Sequence, residues 1–124
     1  MINQRPKNLN LFTIHFPIPA IVSILHRISG FALFILIPIV IWIWGLSVSS
    51  PDTFSTVQQW LSSPLLKFLL WLFLVPFCYH LVAGIRHLLM DINIGDELKS
   101  GRLAAWITMV VAAVLVILVG VWLW

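Results

Sequence analysis

Residues 78–91 read CYHLVAGIRHLLMD and close an apolar segment that begins near Leu65. The length and composition of that segment predict a membrane-spanning helix with His80 inside it. At about 3.6 residues per turn, one face of this helix carries Pro76, His80, Gly84, His87 and Asp91. Ionisable side chains at membrane depth are energetically unfavourable and usually mark a functional path or a bound group. His80 is therefore the first candidate for a functional residue.

The composition indicates that most of the chain is surrounded by lipid. Of its 124 residues, 61% are hydrophobic and 9% are charged, and the chain holds seven Trp and eight Phe. A soluble domain of this size could not cover so much apolar surface. The net charge of +3 comes from seven scattered basic residues, so we expect no nucleic-acid partner. One cysteine, Cys78, provides neither a disulfide framework nor a thiolate metal site.

Three long apolar segments predict an all-α integral membrane protein with one membrane domain over residues 1–124. The predicted segments are a leader (1–19), a first helix (~20–47), a loop (~48–64), a second helix (~65–90), a polar connection (~91–102) and a third helix (~103–124). Turn residues dominate the start of the loop, which can include a short interfacial helix near residues 57–61.

The positions of lysine and arginine predict the orientation. The leader holds Arg5 and Lys7, and the polar connection holds Lys99 and Arg102. The loop and the C-terminal end hold none, and only Lys67 departs from this pattern. The positive-inside rule therefore places the N-terminus and the polar connection in the cytoplasm and the C-terminus outside. The leader lacks a small-residue cleavage site and precedes an apolar run too long for a signal peptide, so we expect it to be retained.

This topology brings the start of the first helix and the end of the second helix to a similar depth. The polar or small residues at that level are Ser23, His26, Arg27, Ser29 and Gly30 from the first helix and Arg86, His87 and Asp91 from the second. Simpler interpretations stay open. The two arginines can extend to lipid phosphates, the Ser23 hydroxyl can bond its own helix, and His87 and Asp91 can be interfacial.

His80 lies about ten residues deeper than the end of the second helix, roughly 15 Å by helix rise. We expect no other residue of this chain to pair with it at that depth. A neutral imidazole there needs a hydrogen-bond partner or a metal, and Gly84 would let a flat ring or another backbone approach. Haem b is the natural candidate, with its propionates toward His26, Arg27 and Arg86 and a second axial ligand from another polypeptide. The alternative is a helix–helix hydrogen bond.

Two motifs carry a resemblance to a known family. Residues 23–30 read SILHRISG, and residues 80–91 read HLVAGIRHLLMD; Arg5-Pro6 and Asn8-Leu9 precede them. Together they resemble the cytochrome b membrane-anchor subunit of succinate dehydrogenase, over nearly the whole chain. The resemblance implies a helical bundle shared with a small partner anchor subunit, which supplies the other axial histidine of haem b.

The resemblance also implies roles for individual residues. His80 would be an axial ligand of the haem iron, and His26 and Arg27 would lie near the haem propionates. Ser23, Ile24 and Arg27 would line the ubiquinone site beside the iron–sulfur subunit. The chain has no dinucleotide-binding fingerprint and no cysteine cluster, so FAD and iron–sulfur clusters would reside in the flavoprotein and iron–sulfur partner subunits.

The implied function is to anchor these partners to a bacterial inner membrane, among its lipids, and to pass electrons from succinate to ubiquinone. We expect no catalytic activity from the isolated chain. Three alternatives stay open: an anchor of a fumarate reductase that uses menaquinol, a structural anchor without a redox role, and a subunit of a small transporter. A transporter would be expected to show inverted repeats or broken helix pairs, which the sequence does not display.

Overall fold

The structure is a computed structural model that describes residue 10 and residues 12–95 and 97–124. Its helices are α1 (Ile18–Ser49), α2 (Pro51–Ser62), α3 (Pro64–Asp91) and α4 (Leu98–Leu123). Helices α1, α3 and α4 are each long and apolar enough to cross a membrane. The described residues form no strand. The predicted all-α membrane fold is therefore confirmed, while Arg5, Lys7 and the Arg-Pro pair lie outside the described residues.

Helix α2 occupies most of the segment that we expected to be a loop. Ser50 caps it: the Ser50 hydroxyl accepts a hydrogen bond from the Thr53 backbone N–H, and the Thr53 hydroxyl accepts one from the Ser50 N–H. Pro51 stands at the first helical position and Asp52 in the first turn. The same Ser-Pro-Asp residues that suggest a turn also favour a helix start, and here the helix prevails.

The connection between α3 and α4 is shorter than expected, because α4 begins at Leu98 rather than near residue 103. The chain reverses direction through two left-handed residues, Asn93 with a φ of 61° and Gly95 with a φ of 78°. Asparagine and glycine are the residues that adopt this backbone conformation most readily.

The described core is small and lies where α1, α3 and α4 meet. Val22, Ala83 and Ala105 have no exposed surface, and Tyr79 and Met109 pack against them. Apolar side chains gain little by moving from lipid to a helix interface. Membrane helices therefore associate through close van der Waals packing, which small side chains permit. This core sets the register of α1 against α3. Because the two helices run in opposite directions, Gly30 lies beside His80 and His26 lies beside Gly84.

A second close contact joins α3 to α4 at the other end of the bundle. The Trp71 indole N–H donates a hydrogen bond of 3.1 Å to the Val116 carbonyl oxygen. A Cβ added to Gly120 would lie 2.9 Å from Trp71 Nε1, so only glycine allows this approach. Most large apolar side chains elsewhere on the three long helices are exposed, as expected of surfaces that face lipid or partner helices.

Candidate functional site

His80 reaches from α3 to α1 and bonds there through one ring nitrogen. Its Nδ1 lies 3.0 Å from the Ser29 hydroxyl oxygen and 3.2 Å from the His26 carbonyl oxygen. The Ser29 hydroxyl donates to the same carbonyl at 2.8 Å. These three groups, which we call the His80 triangle, join the two helices inside the membrane segment.

The expectation that nothing in this chain could pair with His80 at its depth is therefore wrong. Ser29 lies 11 residues after Ile18, where α1 begins, and His80 lies 11 residues before Asp91, where α3 ends. In two antiparallel helices these positions fall at the same level. The sequence predicts Ser29 among the shallower residues, and only the register of the packed helices shows that it lies at the level of His80.

The His80 triangle favours one tautomer of the imidazole. A carbonyl oxygen can only accept, so the contact between Nδ1 and the His26 carbonyl is a hydrogen bond only when Nδ1 carries the proton. The Ser29 hydroxyl can then accept from Nδ1 while it donates to His26, and every group is satisfied. Nε2 of His80 is left with a bare lone pair and has no hydrogen-bond partner among the described residues.

Three imidazole rings lie in a row beside the His80 triangle. The His26 and His80 rings stack with centroids 4.1 Å apart and planes 16° apart, and the His87 ring contacts His26 at 4.8 Å. The His26 ring also lies beside Gly84, since a Cβ on Gly84 would lie 3.5 Å from His26 Nε2. His87 is thus part of the cluster rather than a purely interfacial residue.

Three side-chain nitrogens of α1 and the second half of α3 are buried without a partner in the described part of the chain. They are His26 Nε2, His87 Nε2 and Arg86 Nε. A buried donor or acceptor that makes no hydrogen bond destabilises a protein by about 1–3 kcal/mol, so such groups call for an explanation. The cluster has the character of a site that is completed by a polar ligand or another subunit.

The residues predicted to bind quinone lie on the same part of α1. Ser23 is half-buried, and Ile24 and Arg27 are exposed. The Ser23 hydroxyl makes no bond to its own helix, in contrast to Ser29, whose hydroxyl bonds the carbonyl three residues earlier. Arg27 has no ion pair or hydrogen bond with any described side chain. Both polar groups are thus available to a ligand or a partner.

Tyr79 belongs to the site and was not predicted. Its hydroxyl donates a hydrogen bond of 2.9 Å to the Val22 carbonyl, one helical turn before His26. Tyr79 and His80 therefore both bond backbone carbonyls of α1, Tyr79 at the residue before Ser23 and His80 about one turn further along. The sequence shows only that a tyrosine precedes His80, and this does not by itself reveal the hydrogen-bond partner of its hydroxyl.

Within the described residues, no group of three or more His, Cys, Asp or Glu side chains converges. A cavity of about 340 Å³ does occur, but at the opposite end, between α1, α2 and α3. Residues such as Leu36, Val57, Leu66 and Phe73 line it. Its wall is almost entirely apolar, so it lacks the groups that a redox or proton-transfer site requires.

Comparison with known proteins agrees with these features. The model of the family described as succinate dehydrogenase/fumarate reductase transmembrane subunit matches residues 1–119. A succinate dehydrogenase cytochrome b556 subunit of Coxiella burnetii is 39% identical over 122 residues, 98% of each chain. The protein of that name from Rickettsia prowazekii is 38% identical over 96% of this chain and 93% of its own. The one from Paracoccus denitrificans is 34% identical over 80% and 76%. The chain therefore belongs to the succinate dehydrogenase/fumarate reductase transmembrane subunits.

Proposed function

We propose that this chain holds haem b through His80 Nε2 as the membrane anchor of a succinate dehydrogenase. The observation that carries the proposal is the His80 triangle, in which Nδ1 is engaged and Nε2 keeps its lone pair. Histidines that bind metals usually donate their other ring N–H to a carbonyl or carboxylate, which fixes the ring and strengthens the ligand. The relatives are cytochrome b556 subunits by name, which supports haem b as the bound group.

The unpartnered nitrogens fit the acidic groups of such a ligand. Haem carries two propionates. His26 Nε2, in the ring stacked on His80, and Arg86 Nε, six residues after His80 on α3, are buried without partners among the described residues. A carboxylate that accepts from these nitrogens would remove their unfavourable burial. Arg27, adjacent to His26, is exposed and can extend toward the same charge. The group itself would supply one-electron transfer, with a potential set by its ligands and surroundings.

The quinone site is proposed to lie at Ser23, Ile24 and Arg27. The Ser23 hydroxyl would donate to a quinone carbonyl oxygen, and Ile24 would contact the apolar ring. The Arg27 guanidinium would stabilise the negative charge that develops on the quinone oxygens as two electrons arrive. Such stabilisation is strong where little water is present. Ubiquinone would take up two electrons and two protons and leave as the quinol.

The electrons would come from succinate, oxidised in a flavoprotein subunit and passed on by an iron–sulfur subunit. Two observations support partner subunits: the large exposed apolar area of the bundle, and the absence, among the described residues, of a second ligand facing His80 Nε2. A six-coordinate iron would need its second ligand from a small partner anchor. We place the assembly in a bacterial inner membrane with the N-terminus of this chain in the cytoplasm. The family also includes fumarate reductase anchors, so the reverse reaction with menaquinol is the second candidate.

The proposal is tested on the purified complex by comparing two activities. The variants Ser23→Ala and Arg27→Leu should lower succinate-driven ubiquinone reduction by about 100- to 1000-fold, the range for loss of one charge-stabilising donor. Succinate oxidation with a soluble artificial acceptor should remain unchanged. Arg102→Leu, which removes another exposed arginine at the start of α4, is the matched control and should preserve both activities.

Equal loss of both activities in the Arg27 variant would contradict the quinone assignment. The haem content of the wild-type complex is measured on the same preparation. A wild-type complex without a b-type spectrum would overturn the haem assignment and leave a structural anchor as the better account. Higher turnover with menaquinol and fumarate than with succinate and ubiquinone would favour the second candidate.

A further inference from the structure

We infer that Ser29 is a positioning residue for the haem ligand: its hydroxyl fixes the tautomer and the ring plane of His80. This inference rests on the proposed function, in which His80 Nε2 binds the iron. Ser29 is 5% exposed, so water does not compete for its hydroxyl. It lies on α1, whereas His80 lies on α3, so the contact also depends on the register of the two helices.

The geometry gives Ser29 two simultaneous roles. Its hydroxyl hydrogen is directed to the His26 carbonyl at 2.8 Å, which leaves its oxygen lone pairs free to face His80 Nδ1 at 3.0 Å. Nδ1 therefore meets two acceptors, the second being the His26 carbonyl at 3.2 Å. Two acceptors on one N–H oppose transfer of that proton to Nε2, where it would block metal binding.

A ring held in this way has restricted rotation. The His80 imidazole is bonded at its Nδ1 edge, stacked against His26 on one face at 4.1 Å, and close to Gly30 at Cε1. Among the described residues, Ser29 is the one side chain that hydrogen-bonds the ring, since the other hydrogen bond is to the backbone carbonyl of His26. Loss of the hydroxyl would leave Nδ1 with only its longer hydrogen bond, to the His26 carbonyl. An imidazole whose N–H makes a weaker hydrogen bond is a poorer electron donor to the iron.

Loss of the Ser29 hydroxyl is predicted to weaken the binding of oxidised haem. An imidazole that donates a strong hydrogen bond carries more negative charge and favours the ferric state. For Ser29→Ala we expect about tenfold lower affinity for ferric relative to ferrous haem, near the lower end of the range for loss of an outer-shell partner. Tenfold corresponds to a rise of about 59 mV in the one-electron potential. The ferric electron paramagnetic resonance signal should also broaden, as the ring plane becomes less defined.

The experiment compares three variants with the wild-type complex by redox titration and electron paramagnetic resonance. Ser29→Ala removes the hydroxyl, and Ser29→Thr retains it and should restore the wild-type potential. The matched control is Thr108→Val, which removes a buried hydroxyl of α4 that bonds only its own helix at Ala104. This control should leave the potential and the resonance signal unchanged.

The outcomes separate this inference from the proposed function. A wild-type complex with a His80-dependent haem, together with an unchanged potential and signal in Ser29→Ala, would overturn the inference alone. The same shift in Thr108→Val would also overturn it, because a general loosening of the bundle would then explain the effect. If Ser29→Ala does not assemble, Ser29→Cys provides the second test, since a thiol is a weak acceptor of similar size and should shift the potential in the same direction.

Discussion

The substitution Gly30→Ala tests how closely α1 and α3 pack at His80. A Cβ at residue 30 would lie 3.1 Å from His80 Cε1, tighter than an ordinary contact, so the ring would have to move by a few tenths of an ångström. His80 is poorly placed to move, because its Nδ1 is bonded to Ser29 at 3.0 Å and to His26 at 3.2 Å. The new methyl group thus competes directly with the His80 triangle.

A matched variant on the same helix isolates this contact. A Cβ at Gly45 would meet no atom within 4 Å, so Gly45→Ala changes only the conformational freedom of α1. Alanine favours a helix over glycine by about 1 kcal/mol, and both variants gain this term equally. Overpacking a tight site typically destabilises by about 1–3 kcal/mol. Gly30→Ala should therefore be less stable than Gly45→Ala by about 1–3 kcal/mol.

The assay follows thermal loss of the haem spectrum and of quinone reductase activity in the purified complex. We expect Gly30→Ala to lose both at a lower temperature than wild type and Gly45→Ala to lose both at an equal or higher temperature. Equal midpoints for the two variants would refute the close packing of α1 against His80. A lower midpoint for Gly45→Ala alone would refute the finding that a Cβ at residue 45 meets no neighbouring atom.

Two further predictions concern the stability of the bundle. Tyr79→Phe removes the bond to the Val22 carbonyl and should destabilise the assembled complex by about 0.6–1.7 kcal/mol, the range measured for interhelical hydrogen bonds in membranes. Thermal inactivation measures this loss, and an unchanged midpoint would mean that the bond contributes nothing. Gly120→Ala would place a Cβ 2.9 Å from Trp71 Nε1 and should destabilise by about 1–3 kcal/mol, with a more exposed Trp71 in fluorescence quenching. Unaltered quenching and stability would contradict the contact.

The all-α membrane fold could be predicted because lipid leaves few choices. Apolar segments of this length can satisfy their backbone groups in lipid only as helices or closed barrels, and their period and composition favour helices. In place of helix α2, the sequence predicted a loop with at most a short interfacial helix near residues 57–61. Its cap at Ser50 and Pro51 uses residues that are equally common in turns, so local sequence alone does not separate the two cases.

The partners of His80 could not be predicted, because they depend on the register of two helices distant in sequence. Counting residues from predicted ends places His80 deeper than the polar residues of α1. The observed register is set by small residues in contact, Val22 against Ala83 and Ala105, and it places Ser29 beside His80. A shift of one helical turn, about 5.4 Å, would break the His80 triangle while leaving every sequence pattern intact.

The roles assigned to Ser23, Ile24 and Arg27 remain predictions. They rest on the family motif. The structure adds that Ile24 and Arg27 are exposed and that the polar groups of Ser23 and Arg27 make no side-chain hydrogen bond among the described residues. Their proposed ligand approaches from a side where a partner subunit is expected. Sequence and structure of one subunit therefore define this site less completely than they define His80.

The most direct test of the account is the reduced-minus-oxidised visible spectrum of the complex with His80→Leu, set against wild type. His15→Leu, which replaces an exposed histidine before α1, is the matched control. If His80 binds the haem iron, a b-type α-band will appear in wild type and in His15→Leu and will be lost or shifted in His80→Leu. An unchanged band in an assembled His80→Leu complex would contradict this assignment, because the iron would then be held by other residues.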